Sequence, residues 1–398
     1  MLTRRQIIKA LGLMAAASSP PGLALAAVET EARFVLVVLR GAVDGLALAA
    51  PYGDGNYHRV RGELALSAPG HANGLLKLDG LFGLHPSLQG LYRHFQDNEA
   101  VVIHAVASPY RERSHFDGQD ILENGAARVG ALRDGWLNRA LGPLDRDTEL
   151  AIALAQNAPL VLRGDNTVTS WAPSRLPDAD ENTIARLRRL YADDDFFSSR
   201  LEQALKSQNI AGSAAGTADS NVRGNEAKRF AELMRAAARF LTASKGPRIA
   251  VVELGGWDTH ANQGADDGAL ANRFAALDAG LVNLHAGLGE TWRRTVVAVV
   301  TEFGRTVHVN GTRGTDHGTG TAAVLAGGAI KGGRVIADWP GLAPKDLYEN
   351  RDLRPTTDIR SVFKGVLKDH LGISAVTIER EVFPGSAPAK PMRDLIDV

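Results

Sequence analysis

The 398-residue sequence contains no cysteine. Disulfides, thiolate–zinc sites, iron–sulfur clusters and cysteine nucleophiles are therefore excluded, although that absence fixes no compartment. There is no surplus of either charge: 45 lysines and arginines face 45 aspartates and glutamates. A chain so balanced has no basic field for nucleic acid and no acidic tail. Internal repeats are missing too, and the one N-terminal apolar stretch, Ala10–Ala17, is too short to cross a bilayer. Apolar sequence is plentiful, 44% of the residues, enough to bury the core of one large α/β domain or two small ones.

The N-terminus carries an address. Thr3-Arg4-Arg5-Gln6-Ile7-Ile8-Lys9 combines consecutive arginines, apolar residues and a closing lysine. The apolar stretch follows, Pro20-Pro21 interrupts what comes after it, and Ala24-Leu25-Ala26 offers a small-x-small cleavage site. This order predicts a twin-arginine signal peptide over residues 1–26, passage through the twin-arginine translocon, and a bacterial periplasmic or otherwise exported location. Cleavage would remove Arg4, Arg5 and Lys9 and no acid. The mature chain, 27–398, would be slightly acidic and keep no stable membrane span.

Phe34–Leu39 is a continuous apolar run, the mark of a strand covered on both faces. Ala100–Val106, Glu149–Ala155, Ile249–Leu254 and Thr295–Val300 repeat it, with Thr321–Ala326 as a sixth. Helical patterns lie between them at Pro86–Gln96, Gly118–Asn124, Gly135–Leu141, Thr183–Lys206, Asn225–Ser244, Ala269–Thr291 and Asp358–Leu371. The alternation predicts an α/β fold, a doubly wound and mostly parallel sheet with helices on both faces. Asn209–Gly224 reads as a loop within a helical insert near 183–244, and Gly332–Glu349 as a surface hairpin or loop.

Ligand sites in such sheets lie beyond the carboxyl ends of the strands, and acid/histidine clusters fall there. Gly255-Gly256-Trp257-Asp258-Thr259-His260 follows the fourth strand. Asp258 and His260, two apart on extended chain, point to one side. They offer oxygen and nitrogen donors suited to zinc, manganese or iron, though a polar turn with Asp258 as helix cap fits equally. Glu302 ends the fifth strand with Arg305 beside it, and Gly314-Thr315-Asp316-His317-Gly318 follows after a short loop. Asp316 and His317 present both ligand types, or form a tight turn. Arg305 can pair with Glu302 or hold an anionic substrate group. Asp44 follows the first strand in a glycine-rich loop, as ligand or turn residue.

Arg111-Glu112-Arg113-Ser114-His115-Phe116-Asp117 opens a helix after the second strand. Ser114 there is either a plain N-cap or a hydroxyl that a metal activates as a nucleophile. His115 reads as a ligand, a partner behind a ligand, or a packed core residue. His58, His71, His94, His104, His285, His308 and His370 have no partner cluster and read as surface or core, and His85 precedes a proline at a helix start.

With these residues assembled, the chain resembles the exported bacterial domain-of-unknown-function family 1501. The likeness rests on five ordered segments. They are the twin-arginine leader, Leu39-Arg40-Gly41 with Asp44-Gly45-Leu46, Arg113-Ser114-His115-Phe116-Asp117 with Glu123-Asn124-Gly125, Gly255–His260, and Glu302-Phe303-Gly304-Arg305-Thr306 with Gly314–Gly318. That family is generally grouped with the alkaline phosphatase/sulfatase superfamily, whose members share a doubly wound α/β sandwich and usually a divalent metal site. The resemblance implies Asp44 as a first-strand metal ligand, Ser114 as the nucleophile, and Asp258 and His260 as a mid-chain ligand pair. Glu302 stands where better-known members carry an aspartate, and Asp316 and His317 resemble either an Asp-His pair or a later ligand histidine. A formylglycine sulfatase needs a Cys/Ser-x-Pro-x-Arg frame, whereas Ser114 is followed by His-Phe-Asp. The expectation is an exported hydrolase of phosphate or sulfate esters that uses zinc, manganese, magnesium or calcium, with Arg305 or Arg113 on the nonbridging oxygens. The rival expectation is a non-catalytic exported binding or assembly protein that keeps the fold.

Overall fold

The computed structural model describes residues 31–144, 150–173, 181–211 and 226–397. The leader expected over 1–26 lies outside them, as does the 209–224 stretch after its first three residues. In chain order the strands are β1 (Arg33–Leu39), β2 (Ala49–Ala50), β3 (Leu76–Lys77), β4 (Gly83–Leu84), β5 (Ala100–Ala107) and β6 (Ala151–Ala153). Then come β7 (Thr169–Ser170), β8 (Ile249–Leu254), β9 (Thr295–Thr301), β10 (Thr321–Ala326), β11 (Arg334–Ile336) and β12 (Thr357–Asp358). One sheet runs β11-β5-β10-β9-β1-β8-β6-β7, with β12 also paired to β5, while β2, β4 and β3 form a small separate sheet.

Every pairing in the large sheet is parallel except those of β10, which runs against both β5 and β9. The expected doubly wound, mostly parallel sheet is therefore present, with one reversed strand. Reversal places the amino end of β10 on the same edge as the carboxyl ends of β5, β9, β1 and β8. All the acid/histidine segments consequently meet on one edge.

Strand β1 shows why the sheet is covered on both faces. Its side chains alternate. Val35, Val37 and Leu39 join a core with Phe230 and Met234 of the Glu226–Thr242 helix and Phe274 and Leu277 of the Ala269–Leu288 helix. Phe34, Leu36 and Val38 join the opposite core, with Trp136, Val362, Phe363 and Val366 from the Trp136–Leu141 and Ile359–Asp369 helices. Each such aliphatic side chain contributes about 1.5–3 kcal/mol by burial.

The helical pattern read across Thr183–Lys206 is two helices, Glu181–Leu190 and Asp195–Ala211. The break has a local cause: Asp194 Oδ1 accepts from Phe197 N at 3.0 Å and so starts a second helix. The pair is tied by Arg188–Glu202 and by stacking of Tyr191 on Phe197. Glu226–Thr242, by contrast, is a core layer that buries Phe230, Met234 and Phe240. Within the stretch read as a surface hairpin, β11 adds to β5 as an edge strand. Among the described residues, no helix is long and apolar enough to cross a membrane.

Candidate metal centre

Four side chains converge on the carboxyl edge. His115 is the first residue of the His115–Asn124 helix after β5, Asp258 and His260 follow β8, and His317 precedes β10. His115 Nε2 lies 2.9 Å from His317 Nε2, and His260 Nε2 lies 3.0 Å from His317 Nε2. Asp258 Oδ1 is 3.0 Å from His260 Nε2 and 3.1 Å from His317 Nε2, and Asp258 Oδ2 is 3.4 Å from His115 Nε2.

The far side of each ring decides what these distances mean. His115 Nδ1 faces Glu302 Oε1 at 2.8 Å, His260 Nδ1 faces Asp316 Oδ1 at 3.2 Å, and His317 Nδ1 faces the Arg113 carbonyl at 2.9 Å. All three partners are acceptors, so each Nδ1 carries the proton and each Nε2 of a neutral ring presents a lone pair. Three bare nitrogens and a carboxylate thus aim acceptors at one another, an arrangement that only a proton or a cation reconciles. Metal bonds of about 2.0–2.1 Å in tetrahedral array would separate donors by roughly 3.3 Å, and the observed separations of 2.9 to 3.4 Å bracket that value. His115, Asp258 and His317 each bring a donor atom within 4.8 Å of the other two, and His260 adjoins His317 and Asp258. The residues present therefore fit a metal ion.

Glu302 and Asp316 were expected as ligands, and the structure gives them another position. Glu302 is fully buried behind His115. Its Oε1 accepts from Gly41 N and Gln119 Nε2 besides His115, and its Oε2 from Thr301 Oγ1. Burial acts to raise its carboxyl, but the bonds from His115, its own backbone, Gln119 and Thr301 outweigh that and hold it below the ordinary carboxylate range. Asp316 stands behind His260 and also accepts from Asn310 Nδ2 at 3.0 Å, which with His260 holds it low as well. A carboxylate on the outer nitrogen of a ligand imidazole fixes its tautomer and raises its basicity.

Asp44 was also expected as a ligand, but its carboxylate is turned into the protein. It is buried, pairs with Arg61, accepts from Gln263 Nε2 at 2.7 Å, and caps the Gly45–Leu48 turn through Leu46 N. Gln263 Oε1 in turn receives Thr259 Oγ1 and Thr315 Oγ1, so Asp44 acts on the site only through the loops beside it.

Arg305, expected to face substrate, is buried. Its Nη1 binds Asp258 Oδ1 at 2.5 Å, its Nε meets Thr315 Oγ1, and its Nη2 meets the Thr315 carbonyl. It brackets Asp258 against the 314–318 loop. Burial raises the Asp258 carboxyl, but the Arg305 bond and charge, with His260 and His317, carry it below its ordinary value. Arg113 is likewise engaged, with Asp352 at 2.8 Å and Glu349 at 2.5 Å. Its φ of +63° is the left-handed conformation, which turns its carbonyl toward His317. Ser114 is the N-cap of the His115–Asn124 helix with extended backbone, but its side chain makes no capping bond.

Glycines let these loops stack. A Cβ on Gly314 would lie 2.4 Å from the His260 carbonyl, and one on Gly41, at φ +118°, would lie 2.7 Å from Asp258 N. The remaining histidines behave as core or surface residues. His104, buried on the Ala49 carbonyl, is pushed down to about 4 by burial. Asn310, Thr315 and Gln263 brace the site from loops and carried no sequence signal. His115 did carry one, its place beside Ser114 at a strand-to-helix junction.

Comparison with curated proteins finds no match. Solved structures overlap in part. A phosphonate monoester hydrolase of Agrobacterium radiobacter is 13% identical over 86% of this chain and 74% of its own, with a TM-score of 0.38. The lipoteichoic acid synthase LtaP from Listeria monocytogenes is 11% identical over 92% and 79%, with a TM-score of 0.38. A mutant of the alkaline phosphatase PafA is 9% identical over 70% and 64%, with a TM-score of 0.35. The model of the family described as "Protein of unknown function (DUF1501)" matches residues 31–382, and the chain belongs to that family.

Proposed function

We propose that this protein is an exported, metal-dependent hydrolase of phosphate or sulfate esters with Ser114 as its nucleophile. One geometry carries the reading: three imidazole Nε2 atoms and the Asp258 carboxylate converge within 2.9 to 3.4 Å while each Nδ1 faces an acceptor. His115, His260, His317 and Asp258 would hold the ion. Three nitrogens favour zinc or manganese over magnesium and calcium, which prefer oxygen. When bound, the ion supplies Lewis acidity at the ester oxygen and at the attacking hydroxyl.

The chain's own residues do the rest. Ser114 lies one residue from His115 and one from Arg113, whose carbonyl receives His317, so its Cα is about 3.8 Å from a residue tied to the cluster on either side. Its hydroxyl is not held as a helix cap, and the helix N-terminus favours the anionic group of an ester. Glu302, Asp316 and the Arg113 carbonyl keep the imidazoles turned, and Arg305 keeps Asp258 in place. Export through the twin-arginine translocon to the periplasm is supported by Arg4-Arg5 and Ala24-Leu25-Ala26.

One observation favours the non-catalytic rival: Arg113 and Arg305 both pair with internal carboxylates, which leaves neither to hold a transferring group. Ser114→Ala separates the readings. Metal content by mass spectrometry should be unchanged, while turnover of p-nitrophenyl phosphate and a phosphodiester should fall by about a thousandfold or more. A variant that keeps both metal and turnover removes Ser114 as nucleophile. Wild-type protein that binds metal yet turns over no phosphate or sulfate ester is a binding protein.

A further inference from the structure

Beside the cluster lies a cleft of about 1070 Å³. It begins at Phe116, the residue after His115, and runs along one face of the His115–Asn124 helix. Phe116, Gln119, Asp120 and Glu123 line it at i, i+3, i+4 and i+7. Gln119 joins the two regions, since its Nε2 donates to Glu302 Oε1 behind His115. From Phe116 to Glu123 the helix rises about 10 Å, so the cleft reaches that far from the metal-binding end.

The charges in the cleft divide into two sets. Glu123 and Glu253 are both paired with Arg40, and Glu226 with Arg273. These three acids share two guanidinium groups, so each has a cationic partner and one negative charge remains over. Among the described residues Arg133 and Arg229 also line the cleft, both exposed, and no carboxylate pairs with them. Arg163 joins them with only a backbone partner, the Ala158 carbonyl. Among the described lining residues Asp120 is the one acid with no cationic partner, so with the leftover charge of the paired acids two negative charges oppose these three cations. Phe116 is 86% exposed at the mouth, where its ring is free to pack against whatever enters the cleft.

We propose that this cleft binds the remote part of the substrate, and that the substrate is an extended ester carrying a second anionic group, phosphate or sulfate. Arg133, Arg229 and Arg163 hold that group at a distance from the reacting one, and Phe116 lies against the segment between them. Guanidinium groups without carboxylate partners suit tetrahedral oxyanions because they donate in a planar fork. The inference extends the hydrolase reading to a substrate class, but its test does not depend on turnover.

The test is calorimetric titration of metal-loaded wild-type protein and of an Arg133→Gln/Arg229→Gln variant. The probes are a short inorganic polyphosphate and a sulfated oligosaccharide, each at low and physiological salt. At least one probe should bind wild type, and the variant should bind it about tenfold or more weakly with a shallower salt dependence. The probe that loses affinity distinguishes phosphate from sulfate. Turnover of p-nitrophenyl phosphate, which carries no second anionic group for the arginines, and metal content should both stay at wild-type levels. Equal binding of both probes by the two proteins, or no binding by wild type, overturns the proposal. Arginine-dependent binding without turnover of any ester leaves the cleft assignment standing and removes the hydrolase reading.

Discussion

Glu302→Gln isolates the charge behind His115 from the shape that holds it. Three donors meet at Oε1, namely His115 Nδ1 at 2.8 Å, Gly41 N at 2.9 Å and Gln119 Nε2 at 3.1 Å. A glutamine carbonyl can accept all three. On the other side Thr301 Oγ1 lies 2.8 Å from Oε2 and equally 2.8 Å from the Leu39 carbonyl. The hydroxyl can donate to Leu39 and accept one N–H of the new amide, while the second N–H adds a buried donor to the lost charge. Hydrogen bonds to an ionised acceptor are about twice as strong as neutral ones, which sets a stability cost of about 1–2 kcal/mol. Removing a carboxylate behind a ligand histidine weakens metal binding about 10–100-fold, or about 1.4–2.7 kcal/mol. Competition against a chromophoric chelator measures the affinity, and urea unfolding of the metal-free protein measures the stability.

The same variant has a pH signature. In metal-free protein the Glu302 hydrogen bond, more than any other cause, raises His115 above its ordinary 6.5. A raised histidine contributes its full stabilisation below the unfolded value and loses it as pH climbs through the folded value. Metal-free wild type should therefore lose stability from about pH 6.5 upward, and Glu302→Gln should lose much less across that window. The lowered Glu302 carboxyl acts elsewhere, giving stability above its unfolded value that disappears as pH falls through the folded one. Metal must displace the His115 proton, so wild-type affinity should rise over the window where the stability falls. Unchanged metal affinity in a folded Glu302→Gln protein would refute the reasoning.

Other perturbations act on other parts of the centre. Arg305→Met should cost about 3 kcal/mol, the low end for breaking a buried ion pair because Asp258 is partly solvated, and should loosen metal binding; equal thermal stability would mean that Arg305 does not bracket Asp258. Gly314→Ala drives a methyl against the His260 carbonyl, and a cost of about 1–3 kcal/mol with weaker metal binding should follow in chemical unfolding and chelator competition. Saturating zinc at about a hundred times its dissociation constant should stabilise wild type by about 2.7 kcal/mol, and a His317→Ala protein should show little of that shift in thermal unfolding.

The sequence by itself determined the six apolar strands at the centre of the sheet. Ile249–Leu254 and Thr321–Ala326 coincide with β8 and β10, because a strand buried on both faces must be apolar throughout and such runs have sharp ends. It also determined that the chemistry would gather at strand ends, since Asp258, His260 and His317 each follow or precede such a run. The direction of β10 was not legible, because an apolar run reads the same whether its strand lies parallel or antiparallel. Only the tertiary structure turned it round and so brought His317 to the edge that already held His115 and Asp258. The structure likewise decided which carboxylates face the cluster and which stand behind it. Glu302, Asp316, Asp44 and Asp258 are alike as residue types. Their difference lies in what surrounds them: a histidine Nδ1 before Glu302 and Asp316, the Arg61 guanidinium against Asp44, and three imidazole lone pairs before Asp258. Those partners lie as many as 187 residues away in the chain, and contacts over such separations leave no mark in local pattern.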